Sequence, residues 1–245
     1  MQILNALIIS TIAGLSTVIG GLVIFLKIKN IDKFITFCLS FTAVIMIGIS
    51  VVELFPNSFF TLLNKYSLIS TILIISLIFL IGIIIIKMLN KLINNTDNLY
   101  KIGILNMIVL ILHNFPEGIS TYITSFYDIN IGLKIAVAIM FHNIPEGIAI
   151  AAPIYCSTKN KSKALLKTFL SGISEPIGAI FAFLFLKNYI SDYLISFLLI
   201  IVCAIMISLS LEKLIPEAMS HNSRKSLKLG LIMGIIALFI SLFIL

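Results

Sequence analysis

Two near-copies of one polar word, HNFPEG at His113 to Gly118 and HNIPEG at His142 to Gly147, lie 29 residues apart in otherwise apolar sequence. In a helix turning about 100° per residue, a His set at 0° is followed by Asn near 100° and by the Glu four residues on near 40°. The carboxylate therefore lies between ring and amide. Two such faces opposed offer His113, Glu117, His142 and Glu146 to one divalent ion, with an oxygen-rich arrangement of Asn114, Asn143 and the same carboxylates beside it. Imidazole with carboxylate suits zinc, ferrous iron and related ions, whereas amide and carboxylate oxygens bind more weakly and less selectively. A third acid, Glu175 in SGISEPIGA, is suited to complete the oxygen-rich arrangement. Pro116 and Pro145 lack an N–H and clash with the preceding turn, which frees the carbonyls of Leu112 and Phe141. Gly118 and Gly147 permit close helix approach.

The elements that must carry these residues are membrane helices. Of the 245 residues 60% are hydrophobic and 11% charged, with a mean hydropathy of +1.18, far from the composition of water-soluble domains. Continuous apolar runs predict an all-α chain with eight transmembrane spans, at about 3–26, 35–56, 67–87, 102–125, 131–156, 167–187, 193–215 and 229–245. The runs do not alternate as barrel strands do. No separate soluble domain fits between them, so residues 1–245 read as one transmembrane transporter domain. His113 and His142 each fall about 11 residues into a span, roughly 16 Å from the entry surface at 1.5 Å per residue. Both copies thus reach the midplane on antiparallel helices. Glu175 lies roughly 12 Å from its boundary by the same measure.

The net charge of +7 does not indicate nucleic acid, because the basic residues form no stripe with interleaved aromatics and sit in the short connections. Alternate connections carry Lys27, Lys29, Lys33, Lys87, Lys91, Lys101, Lys159, Lys161, Lys163, Lys167, Arg224, Lys225 and Lys228 against Lys65, Lys134 and Lys187. That bias predicts both termini on the extracytoplasmic side. The first run lacks a basic n-region and a cleavage signal and reads as a retained helix. Cys38, Cys156 and Cys203 show no paired spacing, so neither a disulfide framework nor a cysteine metal site is expected. A second repeat, VELFP at Val52 to Pro56 and EKLIP at Glu212 to Pro216, sits at opposite ends of oppositely directed spans. It suggests a 3+2+3 inverted repeat, with spans one to three related to six to eight about the central pair.

A single buried His or Glu can be a satisfied interhelical hydrogen bond, but two copies of six residues, with no buried Lys or Arg partner, call for a cation or protons. For Asn114, Asn143 and Glu175 the structural alternative is interhelical hydrogen bonding. Glu53 and Glu212 lie near span ends and read as an entry or exit path or as interfacial groups, while Glu217 and His221 read as solvated. Gly20 and Gly21 read as packing residues. An intramembrane metalloprotease would require HExxH, and the word here lacks its second His. A proton-coupled carrier of an organic solute, using the same residues as a relay, is the other rival.

HNFPEG, HNIPEGIAIAAPIY, SEPIGA and LEKLIPEA together resemble the ZIP family of divalent metal transporters, in particular its short-loop bacterial zinc-uptake members, and the resemblance covers essentially the whole chain. It implies a multi-pass protein of the bacterial cytoplasmic membrane that imports zinc, and iron, manganese, cobalt or cadmium ions, with no resident cofactor. By the resemblance His113, Glu117, His142 and Glu146 form one metal site, and Asn114, Glu117, Asn143, Glu146 and Glu175 its neighbour with bridging carboxylates. The family further implies homodimers and movement of a central bundle against the rest. The chain departs from many members in lacking a His-rich third cytoplasmic loop, and in carrying Lys213 where LEKLIPEA is often acidic.

Overall fold

The computed structural model describes residues 2–93, 97–185 and 192–244, which are helical apart from short connections and contain no strand. Lys187, counted above in the charge bias, and the end of the sixth predicted span lie outside the described residues. The helices are α1 (Gln2–Gly21, continued by a 3₁₀ turn Leu22–Phe25), α2 (Ile31–Ile49), α3 (Phe55–Leu63), α4 (Leu68–Leu92), α5 (Asn98–Tyr127), α6 (Ile129–Thr158), α7 (Lys161–Gly172), α8 (Ser174–Phe185), α9 (Asp192–Leu209), α10 (Ile215–Ser220) and α11 (Arg224–Ile244). Among the described residues seven continuous runs are long and apolar enough to cross a membrane, and α11, at 21 residues, supplies the eighth helix expected. Short polar residues set the starts: side chains of Asn30, Ser67, Asp97, Asp128 and Asn160 accept backbone N–H groups at the first turns of α2, α4, α5, α6 and α7.

Three departures from the expected spans lie at prolines, while α4 runs five residues past its predicted end and α11 starts five residues before its predicted start. The second span does not stop at Pro56 but runs from Ile31 to Leu63, and the seventh runs past Pro216 to Ser220. In each, a π-helical turn precedes the proline, Ser50–Leu54 or Ser210–Leu214, and is closed by Phe55 N–H to the Ser50 carbonyl or Ile215 N–H to the Ser210 carbonyl. The wider turn accommodates a residue that cannot donate to the fourth carbonyl back. The sixth span is two helices, broken at Ile173 between α7 and α8, three residues before Pro176. Pro116, Pro145 and Pro153 are instead contained within unbroken thirty-residue helices.

The helices pack as two bundles. One holds α1, α5, α6, α7 and α8; the other holds α2 and α3, α4, α9 and α10, and α11, with α2–α6, α5–α9 and α6–α11 contacts between them. Glycines set the close approaches within each. A Cβ at Gly147 would overlap the Thr17 carbonyl and one at Gly20 the Ile144 carbonyl; a Cβ at Gly118 would overlap the Glu175 carbonyl and one at Gly178 the Phe115 carbonyl. These reciprocal pairs make α1 on α6 the counterpart of α8 on α5, with Thr17 and Gly20 matching Glu175 and Gly178. The pairs α2–α11 and α9–α4 correspond in the same way. Matching glycine pairs and matching π-turns establish the inverted repeat around the central α5 and α6.

Candidate metal centre

α5 and α6 place their repeated words near mid-helix, His113 fifteen residues after Asn98 and His142 thirteen after Ile129. His113, Asn114, Glu117, His142, Asn143, Glu146 and Glu175 are all buried. Ligand atoms of His113, Glu117 and His142 lie within 4.8 Å of one another. Glu117 Oε1 is 3.2 Å from His113 Nε2 and 3.1 Å from His142 Nε2, while Glu146 Oε1 is 3.6 Å from His113 Nε2. Zinc bonds of about 2.0–2.2 Å to nitrogen and oxygen give a tetrahedral edge of about 3.3 Å. His113, Glu117 and His142 therefore each bring one ligand atom close enough to share an ion, while Glu146 Oε1 stands beside His113 Nε2 alone. The inward aim follows from the i, i+4 spacing of His and Glu, which puts both on the face each helix turns to its partner.

The second cluster is less symmetric. Asn143 Nδ2 donates to Glu175 Oε2 at 3.0 Å and to the Ala13 carbonyl at 3.0 Å, tying α6 to α8 and α1 and leaving its Oδ1 without a protein partner. Among the described residues neither side-chain polar atom of Asn114 has a hydrogen-bond partner, nor do Glu117 Oε2, Glu175 Oε1 or either oxygen of Glu146. Among the described residues no Lys or Arg forms an ion pair with these carboxylates. Such a concentration of unsatisfied oxygens at membrane depth is costly unless a cation or protons meet it.

The remaining candidates divide between two cavities. Glu53, in the first π-turn, is half-buried and lines a cavity of about 130 Å³ with Asn57, Ser120, Pro116 and Glu117. That cavity reaches the shared carboxylate. Glu212, in the second π-turn, is exposed and lines a separate cavity of about 220 Å³ with Asn98, Lys101, Lys213 and Glu217. It does not join the midplane cluster. Glu217 and His221, expected to be solvated, are half-buried: His221 Nδ1 is 3.0 Å from Asp32 Oδ1 and His221 Nε2 is 3.6 Å from Glu217 Oε1, which ties α10 to the start of α2.

One buried residue beside the centre escaped the sequence reading. Asn106, two turns before His113, donates from Nδ2 to the Ala149 carbonyl at 3.1 Å. Ala149 is four residues before Pro153, so this is the carbonyl that the proline leaves without its helical partner. The proline four residues past Ala149 was the available signal, but nothing local names the helix that answers it.

Comparison with known proteins identifies the family. A family model described as ZIP zinc transporter matches residues 94–242, the stretch that contains both repeated words, Glu175 and the second π-turn. The chain belongs to the ZIP zinc transporter family. Among its relatives, the zinc transporter ZupT of Streptococcus mutans is 37% identical over 201 residues, covering 76% of each chain. The zinc transporter ZupT of Clostridium perfringens is 33% identical over 219 residues, and that of Chlorobaculum parvum 35% identical over 210, each match covering 76% of this chain and 77% of the relative. ZIP membership removes the intramembrane protease reading, since the family is one of transporters rather than enzymes.

Proposed function

We propose that this chain is a single transmembrane domain carrying zinc across the bacterial cytoplasmic membrane towards the cytoplasm, with iron, manganese, cobalt and cadmium ions as further substrates. His113, Glu117, His142 and Glu146 hold the ion at the midplane. Asn114, Asn143 and Glu175 form the adjoining oxygen-rich position, with Glu117 and Glu146 shared. The ion is cargo and no resident cofactor takes part. The observation that carries this reading is the set of 3.1, 3.2 and 3.6 Å separations among imidazole and carboxylate atoms from two antiparallel helices. Both termini lie outside, by the distribution of Lys and Arg, so the Glu53 cavity faces out and the Glu212 cavity faces in.

The path runs past Glu53 to Glu117, where exchange of water for imidazole and carboxylate compensates the ion's dehydration. It leaves past Glu212. A cavity of about 130 Å³ beside Glu117 admits a partly hydrated ion. It is small against the roughly 300–1,000 Å³ typical of organic ligand sites, which counts against a carrier of an organic solute. Pairing of two copies, implied by family likeness, belongs to the same proposal; α4, which keeps most of its surface exposed, has the free apolar face for it. Light scattering of the detergent-solubilised protein tests that part.

Zinc accumulation in vesicles containing folded protein tests the main reading. The double variant His142→Ala with Glu146→Ala abolishes it; unchanged uptake would overturn the assignment.

A further inference from the structure

The inverted repeat is followed closely in backbone at the two π-turns and broken there in charge. Ser50 and Leu54 correspond to Ser210 and Leu214, and Pro56 to Pro216, with the same hydrogen bond closing each turn. By that register Asn57 corresponds to Glu217, Val52 to Glu212, and Glu53 to Lys213. Glu53 and Lys213 are both half-buried, and each lines the cavity on its own side. A carboxylate on one face of the carrier is thus replaced by an ammonium at the equivalent place on the other.

The two cavities differ accordingly. The one beside Glu53 has two carboxylates, Glu53 and Glu117, and among the described residues no basic one. The one beside Lys213 has two carboxylates, Glu212 and Glu217, and two ammonium groups, Lys101 and Lys213. Among the described residues neither lysine lies within ion-pair distance of an acid, so no fixed partner cancels its charge. A divalent ion feels each fixed charge twice as strongly as a monovalent one, and a half-buried charge is screened less than an exposed one.

We propose that Lys213 is a release-determining residue: it makes the cavity on its side a poor binder of divalent cations, so an ion arriving past Glu53 leaves past Lys213 without being retained. This rests on the transport reading above. The lysine does not alter where the ion distribution comes to rest, which the gradients fix. It alters the ion concentration that half-saturates each face. Glu212 and Glu217 remain as oxygen ligands for a hydrated ion in passage, and Lys213 competes with that ion for them.

Initial rates of zinc entry into sealed membrane vesicles of both orientations, containing the full-length chain, test the idea. The wild-type protein half-saturates at a zinc concentration about tenfold higher or more on the Lys213 face than on the Glu53 face. Lys213→Glu lowers the value on its own face by about tenfold, Lys213→Met by less, and Lys213→Arg preserves the wild-type value. In all three the Glu53 face changes less than twofold, and in Lys213→Glu the maximal forward rate falls because the ion is held at the exit. Thermal unfolding in detergent identifies any variant that fails to fold; Met against Arg then carries the comparison alone. Half-saturation within twofold of wild type in both Lys213→Glu and Lys213→Met would overturn the proposal. So would equal shifts on the two faces, or an arginine variant that behaves like the methionine one. Absence of zinc entry with the wild-type protein in either orientation is a different result, which overturns the transport reading and this inference with it.

Discussion

In the bundle of α1, α5, α6, α7 and α8, Gly20, Gly118, Gly147 and Gly178 lie against main-chain carbonyls of a neighbouring helix. Gly21, Gly103 and Gly132 of that bundle meet side chains instead, and the other bundle is likewise mixed: Gly230 and Gly234 approach main-chain oxygens of α2, Gly82 approaches both the Ile201 carbonyl and the Ala204 side chain, and Gly48 meets the tip of Leu238. The buried ionisable side chains His113, Glu117, His142, Glu146 and Glu175 all belong to the first bundle. The contacts between bundles, by contrast, are made by side chains such as Leu39, Met46, Leu105, Val109, Ile148 and Met206, and no glycine seats one bundle's backbone in the other. A body held by backbone approach keeps its ligands in register. An interface of side chains can slide, which suits a carrier that must present one site to two faces.

The largest effect expected from this contrast is in Gly147→Val. The added atoms meet the Thr17 carbonyl, a main-chain group that cannot rotate away, and α1 must separate from α6. Overpacking of about 3 kcal/mol or more follows, with loss of folded protein in thermal unfolding and in recovery of a monodisperse species. A variant as stable as wild type would mean that the first bundle is not held by backbone contact.

Within that bundle the centre is itself uneven. Glu117 Oε1 lies beside both imidazoles, whereas Glu146 approaches only His113. Glu117→Gln is expected to weaken zinc binding about 100-fold by calorimetric titration, and Glu146→Gln about tenfold. Equal losses would show that the ion draws the two halves into symmetry.

Much of this was legible in the sequence, and what was not has a common cause. Eight helices, their order and the paired words follow from apolar length and from identical residues at a fixed spacing. The ends of the second and seventh spans did not, because Pro56 and Pro216 read as stops and a π-turn leaves no mark in composition. The reach of Asn106 to Ala149 and the match of Thr17 to Glu175 depend on which helices become neighbours. That is a tertiary fact. The match of VELFP with EKLIP already set Lys213 against Glu53, but that the two positions sit in equivalent π-turns, each lining a cavity, is again a tertiary fact.

Asn106→Ala probes polar ties inside the first bundle at smaller cost. It leaves the Ala149 carbonyl without its side-chain donor, for a destabilisation of about 1–2 kcal/mol, with zinc affinity unchanged because Asn106 is outside the ligand cluster. A loss of affinity instead would place Asn106 on the ion's path.

The smallest effect belongs to Gly48→Ala, and it completes the contrast. A methyl there meets Cδ1 and Cδ2 of Leu238, the far end of a flexible side chain on α11, rather than a carbonyl. Leu238 is only partly buried against the core, so it has room to change rotamer. The gain in helix propensity on replacing Gly by Ala is about 0.8–1.0 kcal/mol and opposes the packing cost, so net stability should move by less than about 1 kcal/mol. Thermal unfolding of Gly48→Ala and Gly147→Ala side by side makes the measurement. If the two melt together, the distinction between a glycine seated on backbone and one facing a side chain is lost.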